Sequence, residues 1–267
     1  MHTLKVMRTL DIITAVLPSR AKYLQETERS VQEALSSLPE GWQGRWSLAV
    51  DGPGQIPHVD QPYFLFTQQV GVAVARNTAL RQEKGDWILA LDGDDLIDPK
   101  GLSDLLCDPL LEKFRWLSSN RLLTNGAETA HWSKEPRLWP AGSLAEEWTS
   151  PFPFHPSSLL VRRDLLIEAG GWPKMETNQD LALALALSEI ADGASTTHPV
   201  VRYRSWEGQS TASKEYPAQK KAAFRKIEVA TNLIRAGLGR GEIVAPLPQP
   251  AVGRVGQSSK KKYFRKS

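Results

Sequence analysis

The chain has 267 residues, of which 41% are hydrophobic and 24% charged, and its formal net charge is +3. This size suits one large domain or two small ones with a sizeable core. Apolar runs such as LALALAL at 181–187 are too short to cross a membrane, MHTLKVMRTL lacks a signal-peptide pattern, and the single cysteine excludes an internal disulfide. We therefore expect a cytoplasmic protein without a transmembrane segment.

The first 92 residues alternate between strand and helix patterns. The strand segments are rich in β-branched and apolar residues, and the helical segments carry apolar residues at helical spacing. The predicted strands are 10–18, 45–54, 62–68 and 86–92, and the predicted helices are 24–38 and 71–85. This order predicts an α/β fold with a mainly parallel central sheet flanked by helices.

The second half of the chain is less regular. The predicted elements are a helix at 99–113, a strand near 115–124, a loop at 131–142, a strand, helix and Gly-Gly turn at 157–172, a helix at 181–193, a strand at 198–206 and a basic amphipathic helix at 217–236. The segment 181–193 alternates Leu with Ala as a strand would. We predict a helix there, because Ala and Leu are the best helix formers and Asn178 is a suitable N-cap.

The C-terminal segment 241–267 reads as a flexible basic tail. From Arg254 onwards it has six basic residues and no acidic one, and the rest of the chain has 27 basic and 30 acidic residues. A basic tail can bind nucleic acid or an anionic membrane surface. A solvated, disordered tail is the simpler interpretation, so no nucleic-acid partner is expected.

Polar groups lie at the carboxyl ends of three of the predicted strands. They are Pro18-Ser19-Arg20, Asp51 and Asp92-Gly93-Asp94-Asp95. In open α/β sheets ligands bind beyond the carboxyl ends of the strands, so these groups are expected to share a cleft.

The three clustered aspartates favour a divalent metal site. Like charges repel, and a hard cation such as Mg²⁺ or Mn²⁺ relieves this with one or two carboxylates plus water and phosphate oxygens. Gly93 permits a tight turn that brings a bulky ligand close. The alternative is that Asp92 or Asp95 caps the next helix while Asp94 is solvated, and for an isolated Asp-x-Asp that alternative would be preferred.

Several segments together resemble the family 2 glycosyltransferases, which have the GT-A fold. They are LDIITAVLP, RWSLAVDG, GVAVARNTAL, GDWILALDGDD, SSLLVRRDLLIEAGGW and TNQDLALALAL. The resemblance covers about residues 9–206, and it rests on the combination of these segments. It implies a Rossmann-like GT-A domain over residues 1–240, with a nucleotide-binding half at 9–110 and an acceptor-binding half with the C-terminal helix at 111–240.

The resemblance also implies roles for individual residues. The expected nucleotide-sugar ligands are Leu17, Pro18, Arg20, Asp51, Arg76, Asp92 and Gly93, and the expected ligands of Mn²⁺ or Mg²⁺ are Asp94, Asp92 and His198. Asp94 is the expected direct metal ligand, Asp51 would bind the nucleobase, and Asp180 matches the general base. His198 could instead be structural, and Asp180 could simply interact with a helix dipole.

The sequence departs from the family at three places. Ser19-Arg20 replaces a usual Asn, Asp51 stands alone where two aspartates are common, and Asn178-Gln179 precedes the base in place of an acidic residue. These differences leave the base assignment intact and make the nucleotide preference less certain.

The implied activity is an inverting, metal-dependent transfer of a hexose from a nucleotide-sugar, most simply a UDP-sugar, to a hydroxyl acceptor. A catalytically inactive nucleotide- or glycan-binding module of the same fold is the alternative. A sugar nucleotidyltransferase is disfavoured, because LPSRAKYL lacks the glycines of a triphosphate loop.

The acceptor is left open: a small molecule, a glycan and a carrier-bound group all remain candidates, and the chain could form a homodimer. We expect the segment 115–156, with its four tryptophans, Trp116, Trp132, Trp139 and Trp148, to shape the acceptor site. His155 could face the acceptor, Trp172 could stack on a sugar or fill the core, and Trp206 with the loop after it could form a flap.

Overall fold

The computed structural model describes residues 7–60, 62–128, 133–207 and 209–248, so the predicted tail beyond 248 and Trp132 lie outside the described residues. Within these ranges the strands are β1 (Arg8–Val16), β2 (Trp42–Val50), β3 (Tyr63–Leu65), β4 (Trp87–Ala90), β5 (Leu96–Ile97), β6 (Trp116–Leu123), β7 (Arg137–Trp139), β8 (Leu159–Arg162) and β9 (Gly193–Tyr203). The helices are α1 (Leu24–Ser36), α2 (Val72–Gln82), α3 (Pro99–Leu106), α4 (Ser143–Glu146), α5 (Arg163–Glu168), α6 (Gln179–Ile190) and α7 (Tyr216–Gly237).

One sheet forms the centre of the molecule, in the strand order β3-β2-β1-β4-β8-β6-β9-β5, with β7 paired to β9. The predicted parallel sheet is confirmed in the first half, where β3, β2, β1 and β4 all run in one direction. The second half is mixed, because β8 runs antiparallel to both β4 and β6, and β5 and β7 run antiparallel to β9. The parallel half sets the carboxyl ends of three strands side by side.

Helices cover both faces of the sheet, and each face has its own core. One core packs α2, α5, α6 and α7 against the sheet, and the other packs α1 and α3. This burial on both sides explains why β4 is an uninterrupted apolar run, since a strand covered on both faces has no polar face. None of the helices in the described ranges is long and apolar enough to span a membrane.

The helix predicted at 181–193 is confirmed as α6. Nine of its twelve residues are buried, so its Leu-Ala alternation reflects burial all round and not a strand face. Asn178 occupies the N-cap position with a left-handed backbone (φ 60°), but its side chain makes no capping hydrogen bond.

Three other predictions differ from the structure. The helix predicted at 99–113 ends at Leu106, because Pro109 lacks the N–H needed to continue it, and a 3₁₀ turn follows at Pro109–Glu112. The predicted loop at 131–142 contains β7, which pairs with β9. The last strand begins at Gly193, five residues before the prediction, because β6 offers it a partner there.

A buried ion network attaches the end of α7 to the body. Glu189 on α6 is fully buried and receives hydrogen bonds from Arg235 (2.7 Å) and Arg240 (2.6 Å). Beyond it, Ile243 is buried, and the Asn232 side chain pairs with its backbone at 2.8 and 2.9 Å. The folded body therefore continues past the boundary predicted at residue 240.

Candidate active site

A cavity of 1120 Å³ opens at the carboxyl ends of β1, β2 and β4. The parallel register aligns Val16 with Val50 and Ile13 with Ala90, so the residues after these strands emerge together. The predicted site residues that line the cavity are Leu17, Arg20, Asp51, Arg76, Asp92, Gly93, Asp94 and Asp180. Pro18 and His198 are not among the lining residues.

Arg76 connects the aspartate motif to the predicted base. Its side chain is only 2% exposed, and its guanidinium donates to Asp92 Oδ1 at 2.5 Å and to Asp180 Oδ1 at 3.0 Å. Arg76 lies on α2, and its side chain reaches both carboxylates from that helix. Its charge is therefore already shared between two acidic groups.

The two carboxylate oxygens of Asp180 differ in their hydrogen bonds. Oδ1 accepts hydrogen bonds from Arg76 and from the indole Nε1 of Trp172 at 3.2 Å. Among the described residues, Oδ2 accepts none. Burial raises the pKa of Asp180, the negative charge of Asp92 adds to the rise, and Arg76 and Trp172 oppose it. A raised pKa makes the carboxylate a stronger base.

Trp172 was expected either to stack on a sugar or to fill the core, and the structure places it in the core. Its ring is buried in the core beneath the cavity, and its N–H reaches Asp180. The Asn77 amide also holds the backbone at Trp172, with bonds of 2.8 and 2.9 Å. The Gly-Gly turn thus places the indole N–H of Trp172 at Asp180.

Asp94 lies beneath Trp206. The indole Nε1 of Trp206 donates to Asp94 Oδ2 at 2.6 Å, and the Trp206 ring meets Tyr23 edge to face at 5.5 Å. Burial raises the pKa of Asp94, and the neighbouring charge of Asp92 raises it further. A cation beside this carboxylate would relieve both effects.

Asp95, the third carboxylate of the cluster, is structural in its contacts. It is fully buried against the Arg121 guanidinium, and it accepts the backbone N–H of Arg204 at 2.8 Å. Burial raises the pKa of Asp95 to about 7 against the opposing charge of Arg121. Arg121 also donates to Ser157 at 2.8 Å and lies 2.7 Å from a ring nitrogen of His155, which connects the 155–157 segment of the cavity wall to Asp95.

The fit of a metal ion can be judged from these groups. The described residues contain no group of three or more His, Cys, Asp or Glu side chains arranged to hold an ion. Two carboxylates, Asp92 and Asp94, face the cavity, which suits Mg²⁺ or Mn²⁺ when phosphate oxygens and water complete the coordination. Gly93 is required between them, because a Cβ there would lie 2.9 Å from Val16 Cγ2.

Asp51 and Pro18 shape the end of the cavity at β1 and β2, where the nucleotide was expected to bind. Asp51 is buried and accepts hydrogen bonds from the backbone N–H groups of Val70 (2.7 Å) and Gly71 (3.0 Å), so it fixes the entry to α2. Pro18 packs against the turn at Gly54, where an added Cβ would lie 2.8 Å from the proline Cβ. Pro18 thus supports the wall without lining it.

The structure does not bring His198 to the aspartate motif, which corrects its prediction as a metal ligand. Its ring Nε2 lies 2.8 Å from Asp108 Oδ2, after α3. The motif is contacted by Arg204, just past the end of β9. An extended strand rises about 3.3 Å per residue, so His198 lies roughly 15 Å or more from that point.

Among the described residues, the tryptophans that were expected to shape an acceptor site do not line the cavity. Trp116, Trp139 and Trp148 are buried in the core, where they pack with Phe154 and Phe224. The aromatic groups that line the cavity are Phe152, His155, Tyr203, Tyr216 and Phe224. Tyr216 and Phe224 were missed, although Phe224 lies on the helix predicted at 217–236 and Tyr216 directly precedes it.

The raised pKa of Asp94 predicts how pH affects the metal-free protein. Between the unfolded value of 3.8 and its higher folded pKa, the native state binds more protons than the unfolded state, so stability falls as pH rises. Asp94→Asn removes this term. In a chelator, we expect the free energy of unfolding of the variant to exceed that of the wild type by an amount that grows as pH rises from 3.8 towards the folded pKa of Asp94 and stays constant above it. Urea unfolding at several pH values measures this; a difference that shrinks with pH would contradict it.

The chain resembles a known sequence family and several solved structures. Residues 62–166 match the sequence model for glycosyl transferase family 2, and no curated protein matches the chain. S. aureus TarS 1-349 in complex with UDP-GlcNAc has a TM-score of 0.63 at 15% identity, over 83% of this chain and 66% of that one. Mannosyltransferase PcManGT from Pyrobaculum calidifontis, in complex with GDP-Man and Mn²⁺, has a TM-score of 0.52 at 16% identity, over 88% and 65%.

The chain therefore spans just under two thirds of these structures, and 39% of a longer TarS structure. The predicted GT-A fold is confirmed by this likeness, and the predicted resemblance to family 2 is confirmed over residues 62–166.

Proposed function

We propose that this chain, with its GT-A fold and family 2 segment, is a metal-dependent inverting glycosyltransferase that uses a nucleotide-sugar donor. The observation that carries the proposal is the joining of Asp92 and Asp180 through one buried arginine, Arg76, in the cavity at the strand ends. Such an arrangement sets a candidate diphosphate site and a candidate base at a fixed separation.

The donor is expected to lie along the strand ends. Leu17, Arg20 and Asp51 surround the nucleoside end, and Asp92, Gly93 and Asp94 surround the diphosphate end. TarS 1-349 was solved with UDP-GlcNAc and PcManGT with GDP-Man, which supports a nucleotide-sugar but leaves two nucleobases open. We favour UDP, because the TarS 1-349 complex with UDP-GlcNAc has the higher TM-score of the two.

Asp92 and Asp94 would hold Mn²⁺ or Mg²⁺ together with the diphosphate, as the presence of Mn²⁺ in the PcManGT complex supports. When bound, the ion supplies positive charge that stabilises the departing diphosphate. His198 has no part in this site.

Asp180 would act as the general base. Arg76 and Trp172 hold Oδ1, so Oδ2 is the oxygen placed to accept the proton of the acceptor hydroxyl as it attacks the anomeric carbon. One base without a protein nucleophile implies direct displacement, and hence inversion at that carbon. The aromatic side chains at the other end of the cavity suit a glycan or other acceptor with apolar faces.

A nucleotide panel tests the donor site first. Thermal stability is measured with UDP, GDP, CDP and dTDP, each with Mn²⁺ and with a chelator. A ligand at 100 times its dissociation constant should stabilise the protein by about 2.7 kcal/mol. We expect stabilisation by UDP with Mn²⁺ only. No shift with any nucleotide, in a folded sample, would overturn the proposal.

A further inference from the structure

Exposed apolar side chains are concentrated at the C-terminal end of the described chain. Among the described residues ten large hydrophobic side chains are exposed, and five of them lie between residues 229 and 247. They are Val229 (62% exposed), Leu233 (70%), Leu238 (50%), Val244 (82%) and Leu247 (85%), and we call them the C-terminal apolar surface. Such a concentration marks an interaction surface more often than scattered single residues do.

Helix α7 has two apolar sides. Its inner side buries Ala223, Phe224 and Ile227 in the core. Val229 and Leu233, one helical turn apart, lie on the outer side and face solvent. The hydrogen bonds between the Asn232 side chain and the Ile243 backbone hold the segment after α7 against the helix, and Leu233 and Val244 are the sequence neighbours of these two residues.

Basic residues surround this surface. Helix α7 has five basic residues and one acidic residue, Glu228, and Lys221, Arg225 and Lys226 are exposed. Residues 238–248, which follow α7, contain one acidic residue, Glu242. The sequence beyond residue 253 adds six basic residues and no acidic one. An apolar stripe bordered by Lys and Arg is the pattern of helices that lie on anionic lipid surfaces.

Charge complementarity indicates which kind of partner fits the C-terminal apolar surface. The chain's own basic tail and a second copy of basic α7 would both meet like charge, which is unfavourable. A nucleic acid would match the charge but would gain nothing from Val229 and Leu233. An anionic lipid surface complements both, with about 1 kcal/mol for each Lys or Arg near the headgroups.

We propose that the C-terminal apolar surface, with its flanking Lys221, Arg225 and Lys226, is a peripheral binding surface for anionic lipid headgroups. The same helix supplies Tyr216, Lys220 and Phe224 to the cavity. If the proposed function holds, an acceptor at the lipid surface would lie next to the acceptor end of the cavity. Lipid binding itself does not depend on that function.

The test uses the full chain and vesicles in a sedimentation assay. Vesicles of phosphatidylcholine alone are compared with vesicles containing about one third phosphatidylglycerol. We expect binding to the anionic vesicles only. Val229→Asp/Leu233→Asp should weaken it about 10-fold or more, since the two exposed side chains lose their apolar contact and gain repulsion. Lys221→Gln/Arg225→Gln should weaken it as well.

The matched control is Leu138→Asp/Ile167→Asp. It makes the same charge change at two exposed apolar residues away from α7, on β7 and α5, and should bind as well as the wild type. Equal binding by Val229→Asp/Leu233→Asp would show that the tail alone binds and would overturn the proposal. So would a chain that binds no vesicles, that binds DNA instead, or that dimerises through this surface without binding lipid.

Discussion

Asp180→Asn is expected to lower the turnover of nucleotide-sugar by about 10²- to 10⁴-fold, the usual contribution of a general base. The amide has nearly the same shape and its oxygen can still accept from Arg76 and Trp172, but it cannot take a proton. Nucleotide binding with Mn²⁺ should remain close to that of the wild type, because Asp180 lies at the acceptor side of the diphosphate site. The measurement is nucleotide release over time with the donor identified by the panel.

Asp164→Asn is the matched control for this variant. Asp164 is an exposed carboxylate on α5 that pairs with Arg115 and Arg162. It should show wild-type turnover. If Asp180→Asn also turned over at the wild-type rate with the fold intact, another group would be the base, whatever the donor site does.

The positions of the site residues were accessible from sequence because they depend on local features. Asp51 and the 92–95 cluster directly follow buried strands, and parallel strands end at one edge of a sheet, so their meeting follows from the strand pattern. Local helix propensity predicted α6, whereas Asp180 in its first turn was identified from the family resemblance. In each case the evidence lies within about ten residues of the side chain concerned.

The hydrogen-bond partners of these residues could not be predicted from the sequence, because they come from distant parts of the chain. Arg76 and Asp180 are 104 residues apart, and Trp206 and Asp94 are 112 apart. No periodicity encodes such a pair. The prediction of His198 as a metal ligand was wrong for a related reason. Its strand was predicted, but what His198 can reach depends on its distance from the strand end, and the register with β6 sets that distance.

Aromatic content misled at the acceptor end. A tryptophan near a site reads the same in sequence whether it lines the cavity or lies behind it. Trp116 and Trp139 are directed inward, where Trp139 donates to Ser195 at 2.7 Å and Trp116 to a backbone carbonyl at 3.0 Å. These hydrogen bonds and the packing against Phe154 fix that direction, and both depend on the whole fold.

Asp94→Asn is expected to abolish the stabilisation that UDP and Mn²⁺ give together, about 2.7 kcal/mol at 100 times the dissociation constant. The neutral amide removes one of two carboxylates available to the ion, while its oxygen can still accept from Trp206 Nε1. The free protein should remain folded and, above pH 5, be slightly more stable than the wild type, because a buried charge beside Asp92 is gone. Thermal unfolding with and without the ligands measures both effects.

The opposite signs of these two effects distinguish a metal ligand from a structural residue. A structural aspartate would lose stability on replacement, with or without ligand, as a buried partner is removed. Asp104→Asn is the matched control, since this partly exposed carboxylate on α3 pairs only with Lys100, at 2.6 Å, among the described residues. It should leave the ligand-dependent shift unchanged. A full shift retained by Asp94→Asn would place the ion elsewhere and leave Asp94 as a hydrogen-bond acceptor for Trp206.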